Sequence, residues 1–254
     1  MVEPWLIDAA VAYNRQSFEQ KDGYVGLILL PIEHLETVLN WSFQSLPDEI
    51  LVGFDPNQNL PHNQEIHDFF IGSDHRVELH QGEGLVLGEP HLVNRGDSFS
   101  VHHIPEEWVD DIFAQERGGR GSRFTHWLHT HPNAVAIPSN ADADAAQWTS
   151  GVDMILGIQF SPSGPLPWFD EVDGVRRPLR PEEAAQRADV VDSSGRRGWA
   201  RARRSRDEKQ ILGRATTGHR IHGLELISFH RTGVGINVVL VDEEGVPIGW
   251  DELK

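Results

Sequence analysis

Three side chains able to bind a metal fall close together in this chain: His129 and His131 in Trp127-Leu128-His129-Thr130-His131-Pro132, then Asp142 in Ser139-Asn140-Ala141-Asp142. On a β-strand, side chains two residues apart project from the same face, so the two imidazoles can reach one ion. Asp142 falls one turn into a helix that Ser139 is placed to cap, and the loop after Pro132 can swing that helix start toward the strand end. Zinc accepts two nitrogens and one oxygen at about 2.0–2.2 Å and, with three protein ligands, keeps its fourth position for water. Taken singly, the pieces are ordinary, because Ser-x-x-Asp opens many helices and alternating histidines occur on many strands. Their joint spacing selects a metal site. The chain has no cysteine, so any metal here rests on His and carboxylates. His102, His103 and His126 are expected to be structural or solvent-facing, and His219 and His222 carry no assignment.

The same run, His-x-His, seven residues, then Ser-x-x-Asp, resembles without a gap the motif of the JAMM (MPN+, or JAB) zinc metalloprotease family. Trp127 sits where that family often has an aromatic residue. In outline the resemblance extends from about residue 24 to 170 and over the final strands. It implies that His129, His131 and Asp142 bind Zn2+ and that Ser139 donates a hydrogen bond to the developing oxyanion. It also implies an upstream glutamate as general base and acid, for which two residues compete. Glu49 follows a predicted helix directly and opens an apolar strand, while Glu65 lies nearer the motif; neither has the glycine three residues on that the family often shows. Glu49 is preferred, because a strand after Glu65 would bury His67 and Asp68. The implied reaction is amide or isopeptide hydrolysis at the C-terminus of a ubiquitin-like modifier or its conjugates. The implied fold is α+β, a mixed, largely antiparallel curved sheet flanked by helices, of cytidine-deaminase-like architecture. The alternative is a non-catalytic scaffold or interaction module, as in relatives that have lost the metal. A cupin-type oxygenase is disfavoured by the absence of an acid in Asn133–Pro138, and a zinc nucleoside deaminase by the absence of cysteine.

The elements that must position these residues follow from hydrophobic period and punctuation. A helix is predicted over residues 4–20, a strand over Tyr24–Leu30, a helix over Ile32–Phe43 and a buried strand over Glu49–Phe54. Strand-like runs at Asp68–Ile71, Arg76–Leu79 and Gly84–Val93 predict an antiparallel meander, and Pro105–Gln115 reads as a helix. The motif then divides into a strand at Phe124–His131, a loop, and a helix at Ser139–Ser150, followed by a strand at Val152–Phe160. A hairpin is expected around Asp173-Gly174, and Gly223–Phe229 with Gly235–Val241 reads as a closing strand pair.

The domain reading is 1–22 as an N-terminal helical extension, 23–175 as the JAB/MPN-like catalytic core, 176–214 as an Arg-rich insertion, and 215–254 as C-terminal strands completing the core. The insertion holds 12 of the 22 basic residues against six acidic ones, which makes it a candidate contact for an acidic partner. The whole chain, with 254 residues and a net charge of −17, argues against nucleic-acid or anionic-membrane binding. No basic and apolar leader opens the sequence and no run is long enough to span a bilayer, so a cytoplasmic location is expected.

Overall fold

The structure, a computed structural model, describes residues 2–72, 84–95, 124–161, 169–172, 175–178 and 211–254. In chain order it contains α1 (Pro4–Glu19), β1 (Leu27–Pro31), α2 (Ile32–Ser45), β2 (Ile50–Phe54), α3 (Gln64–Phe70), β3 (His91–Arg95), β4 (His126–Pro132) and α4 (Asn140–Ala146). There follow β5 (Val152–Ser161), β6 (Phe169–Val172), β7 (Val175–Pro178), β8 (Gly213–Arg214), β9 (Arg220–His230), β10 (Asn237–Val241) and a last turn, α5 (Trp250–Leu253). The architecture is mixed α and β, with a mostly antiparallel sheet flanked by helices. No helix among the described residues is long and apolar enough to cross a membrane.

Six strands run in the order β3-β2-β4-β5-β9-β8, antiparallel at every step except β4 beside β5. The motif strand β4 is therefore central, with Leu51 of β2 opposite His129 on one side and Ile155 of β5 on the other. Side-chain alternation divides the work of the sheet between its faces. One face sends Val52, Leu128, Met154, Leu156 and Leu226 into the main core, against Leu6 and Ala10 of α1 and Leu35, Val38 and Phe43 of α2. The other face carries Leu51 and Trp127, which pack with Phe124, and the paired histidines. Gly53 is required there because the Phe124 ring lies where a β-carbon would stand.

Behind the main core, β10 pairs parallel with β1, and the far side of this pair packs with Ile66 and Phe70 of α3. Helix α1 closes this layer. Pro4 stands at its first turn, and Leu6, Ala10, Asn14 and Ser17 recur on one buried face. The two polar members bond the backbone of β10 and of Ile248 beyond it: Asn14 Nδ2 donates to Leu240 O (2.8 Å) and Ile248 O (2.9 Å), Leu240 N donates to Asn14 Oδ1 (2.8 Å), and Ser17 Oγ donates to Val238 O (2.8 Å). An edge that would otherwise bury unpaired peptide groups is thus satisfied by side chains.

Several sequence expectations are corrected. Asp68–Ile71 is not a strand: the region forms α3, because the Asn63 side chain accepts from Glu65 N and Ile66 N and buries Ile66 and Phe70 one turn apart. The strand expected over Gly84–Val93 starts at His91; Val86 and Leu87 make only isolated bridges, to Leu29 and Pro56, and Pro90 intervenes without a donor. The last two long strands are not a pair. Apart from a bridge between Phe229 and Gly235, β9 joins β5 while β10 crosses to β1. Helix α4 ends at Ala146, short of Ser150. The hairpin expectation agrees with the antiparallel pairing of β6 and β7. The expectations at Arg76–Leu79 and Pro105–Gln115, and for most of 176–214, lie outside the described residues.

Replacing Asn14 with Ala removes three backbone partners from a buried position and should cost about 2–4 kcal/mol of stability by urea denaturation. A variant within experimental error of wild type would show that β10 does not depend on this side chain.

Candidate metal centre

Strand alternation places His129 and His131 on the face of β4 opposite the main core, and β2 and β5 hold the strand rigid on both sides. Pro132 ends the strand, and the chain must then reverse to bring Asp142 back. Asn133 begins the reversal with a positive φ of 57°, a conformation asparagine tolerates better than most residues. Its backbone N donates to Ile158 O (2.7 Å), and its Oδ1 accepts from Phe160 N (3.0 Å), so the turn is stapled to β5. Beyond it the loop lies directly over Gly157, where a β-carbon would come within 2.8 Å of Ala136 N and 2.9 Å of Ala134 O. Only glycine admits so close a backbone.

The helix that carries Asp142 starts in a capping box. Asp142 N donates to Ser139 Oγ (3.2 Å), while Ser139 N and Ser139 Oγ both donate to Asp142 Oδ2 (2.7 Å each). That arrangement leaves Asp142 Oδ1 toward His129 Nε2, 3.2 Å away. The two Nε2 atoms of His129 and His131 are 3.1 Å apart, and His131 Nε2 is 3.9 Å from Asp142 Oδ2. His129 and Asp142 are buried, at 1% and 7% exposure, whereas His131 is half-buried toward solvent.

Two observations test whether these residues fit a metal ion. First, ligand atoms about 2.0–2.1 Å from a tetrahedral ion stand roughly 3.3 Å apart, close to the two shortest separations here. All three donor atoms lie within 4.8 Å of one another. Second, His131 Nδ1 is 2.9 Å from Val135 O. A carbonyl only accepts, so a neutral ring making this contact has its proton on Nδ1 and turns the Nε2 lone pair toward the centre, the tautomer a metal ligand needs. Burial alone would raise the pKa of Asp142. The hydrogen bond and charge of His129, with both bonds from Ser139, outweigh burial and hold its carboxyl well below the usual range. The group is thus anionic, and the cluster is able to hold a metal ion.

No model of a known protein family matches the chain, and no curated protein matches it. What the site can do therefore rests on its own geometry.

The structure brings His129, His131, Asp142 and Ser139 together. Glu49, half-buried, stands immediately before β2, and continuing the pairing of Leu51 with His129 by one same-face step sets it level with His131. Glu65 is elsewhere: it lies in the first turn of α3 and forms a 2.7 Å ion pair with Lys254 on the exposed surface. His126 faces away from the cluster and accepts from Val152 N (3.3 Å), while His219 packs on Phe43 and Phe160 and His222 bonds Ser161. His102 and His103 lie outside the described residues. Sequence reading missed Asn133, the Val135 carbonyl, Gly157 and Glu225, whose Oε2 accepts from Ala136 N (3.1 Å). A glycine inside the apolar run Val152–Phe160 was the one local signal of a close backbone approach.

His129→Ala and Asp142→Ala should each abolish retention of a divalent ion through gel filtration, read by elemental analysis, while the far-ultraviolet dichroism stays that of the wild type. A His129→Ala protein that keeps a full equivalent of metal would remove this cluster from consideration.

Proposed function

We propose that the chain is a zinc hydrolase of the JAMM (MPN+, JAB) type, with the corresponding fold, that cleaves an amide or isopeptide bond at the C-terminal tail of a ubiquitin-like modifier or its conjugate. The observation that carries this reading is the convergence of His129, His131 and Asp142 beside a Ser139 that grips the ligand carboxylate. Added to it is the ungapped motif in the sequence. The ligand set, two imidazoles and one carboxylate, is of the type that leaves zinc an open position. Bound there, zinc supplies Lewis acidity and lowers the pKa of a coordinated solvent molecule to about 7.

The chain's own groups supply the rest. Asp142 contributes the negative charge of the centre and is kept ionised by Ser139 and His129. Glu49 takes a proton from the attacking water and returns it to the departing amine, which balances the hydrolysis; its position two residues before Leu51, the partner of His129, supports this role. Ser139 has a single hydroxyl proton, which points to Asp142 Oδ2. Its backbone N–H holds the same oxygen, so the hydroxyl can rotate to an oxyanion without leaving Asp142 Oδ2 unbonded.

The substrate class comes from the motif resemblance. An extended tail would bind by adding backbone hydrogen bonds to a sheet edge, and among the described residues β3 is the outermost strand on the Glu49 side of the centre. The Arg-rich stretch 176–214 offers charge for an acidic partner, and a cytoplasmic setting suits a modifier-processing activity.

The test is turnover of a ubiquitin-like conjugate by zinc-loaded wild type, Glu49→Gln and Glu65→Gln. Glu49→Gln should lose roughly 10²–10⁴-fold in kcat with its zinc content unchanged, and Glu65→Gln should match wild type. Loss confined to Glu65→Gln would transfer the base. A zinc-loaded wild type that cleaves no isopeptide or peptide substrate would make the protein a scaffold.

A further inference from the structure

Glu225 belongs to neither the motif nor the mechanism, yet it is one peptide away from a candidate ligand. Its carboxylate Oε2 accepts from Ala136 N, and Ala136 N shares a peptide plane with Val135 O, the acceptor for His131 Nδ1. In a trans peptide the N–H and C=O point in opposite directions. Gripping one end therefore aims the other. Gly157 is the cross-strand partner of Glu225, and it is the residue over which this peptide lies. The strand pair β5–β9 thus presents a bare patch for the peptide to rest on and, directly beside it, a carboxylate to fix its rotation.

From this geometry we infer that Glu225 is a positioning residue for the metal centre, acting on His131 through the Val135–Ala136 peptide. A carboxylate on the N–H polarises the amide and makes the carbonyl a stronger acceptor. That holds the proton of His131 on Nδ1 and keeps Nε2 as the donor atom toward the ion. Metal-bound histidines commonly use a carboxylate or a carbonyl on the remote nitrogen. Here the two are joined in series. Val135 O also accepts from Ile137 N (2.9 Å), but the side chains of Val135 and Ile137 are exposed, at 46% and 66%, so Glu225 is the side chain that bonds the Ala136 N–H end of this peptide.

This inference rests on His129, His131 and Asp142 holding a metal, and the test separates its failure from theirs. Co2+ is titrated into metal-free wild type, Glu225→Ala and Glu225→Gln, read by the d–d absorbance of the ion, with metal-free melting curves as the control for folding. Glu225→Ala should bind Co2+ about 10–100-fold more weakly, the usual effect of losing an outer-shell partner. Glu225→Gln, whose amide oxygen still accepts from Ala136 N, should recover most of the affinity. In metal-free protein, side-chain 15N shifts of His131 should report the Nδ1–H form in wild type and a mixture of tautomers in Glu225→Ala. Affinity and tautomer unchanged in Glu225→Ala would overturn the inference while leaving the centre intact. Absence of Co2+ binding by wild type would overturn the centre itself.

Discussion

Two imidazoles and a buried carboxylate are held at contact distance over one face of β4. Asp142 is anionic and buried, and His131 is committed through Nδ1 to a carbonyl, so its Nε2 faces a second imidazole nitrogen only 3.1 Å away. Burying a carboxylate beside two imidazoles is costly unless the groups bond one another, as His129 and Asp142 do. The rest of the structure is organised around making this juxtaposition unavoidable.

It does so by separating stability from chemistry across one sheet. The face of β2, β4 and β5 that meets α1 and α2 is mostly apolar, so the strands cannot slip register without turning Leu128, Met154 and Leu156 out of the core. A slip of one residue would also turn His129 and His131 inward. The apolar face therefore fixes the direction of the imidazoles without touching them. The layer behind it, where Asn14 and Ser17 complete the edge of β10, keeps α1 in place and thereby the core that locks the sheet.

What the sequence disclosed follows from how local each determinant is. The two histidines share a face by strand period alone, and Ser139 with Asp142 form a capping box within four residues, so both were readable from spacing. The loop between them was readable as a loop, but its course was not, because it is set by Gly157 and Glu225 on strands reached later in the chain. The segment at Phe69 and Phe70 looked strand-like from its aromatic run, yet the Asn63 cap outweighed that preference in forming α3. The parallel pairing of β10 with β1 joins segments from opposite ends of the chain, and no period within either strand encodes its partner. Glu49 is an intermediate case: its place before β2 was legible, but what it faces depends on the register of β2 against β4.

A ligand loop of this kind has two ways to deliver Asp142: it can search for the histidines when a metal arrives, or be built already in reach of them. The contacts favour the second. Asn133 is bonded on both backbone and side chain to β5, Ala136 to β9, and Ser139 to the ligand carboxylate, so the connection is anchored at its beginning, middle and end. A connection pinned at three points has little conformational entropy left to lose on binding. What is left free is the outward side of His131, the half-buried ligand, and that is the side from which an ion or a substrate would approach. Preorganisation of the closed side and openness of the other are therefore consequences of the same short loop.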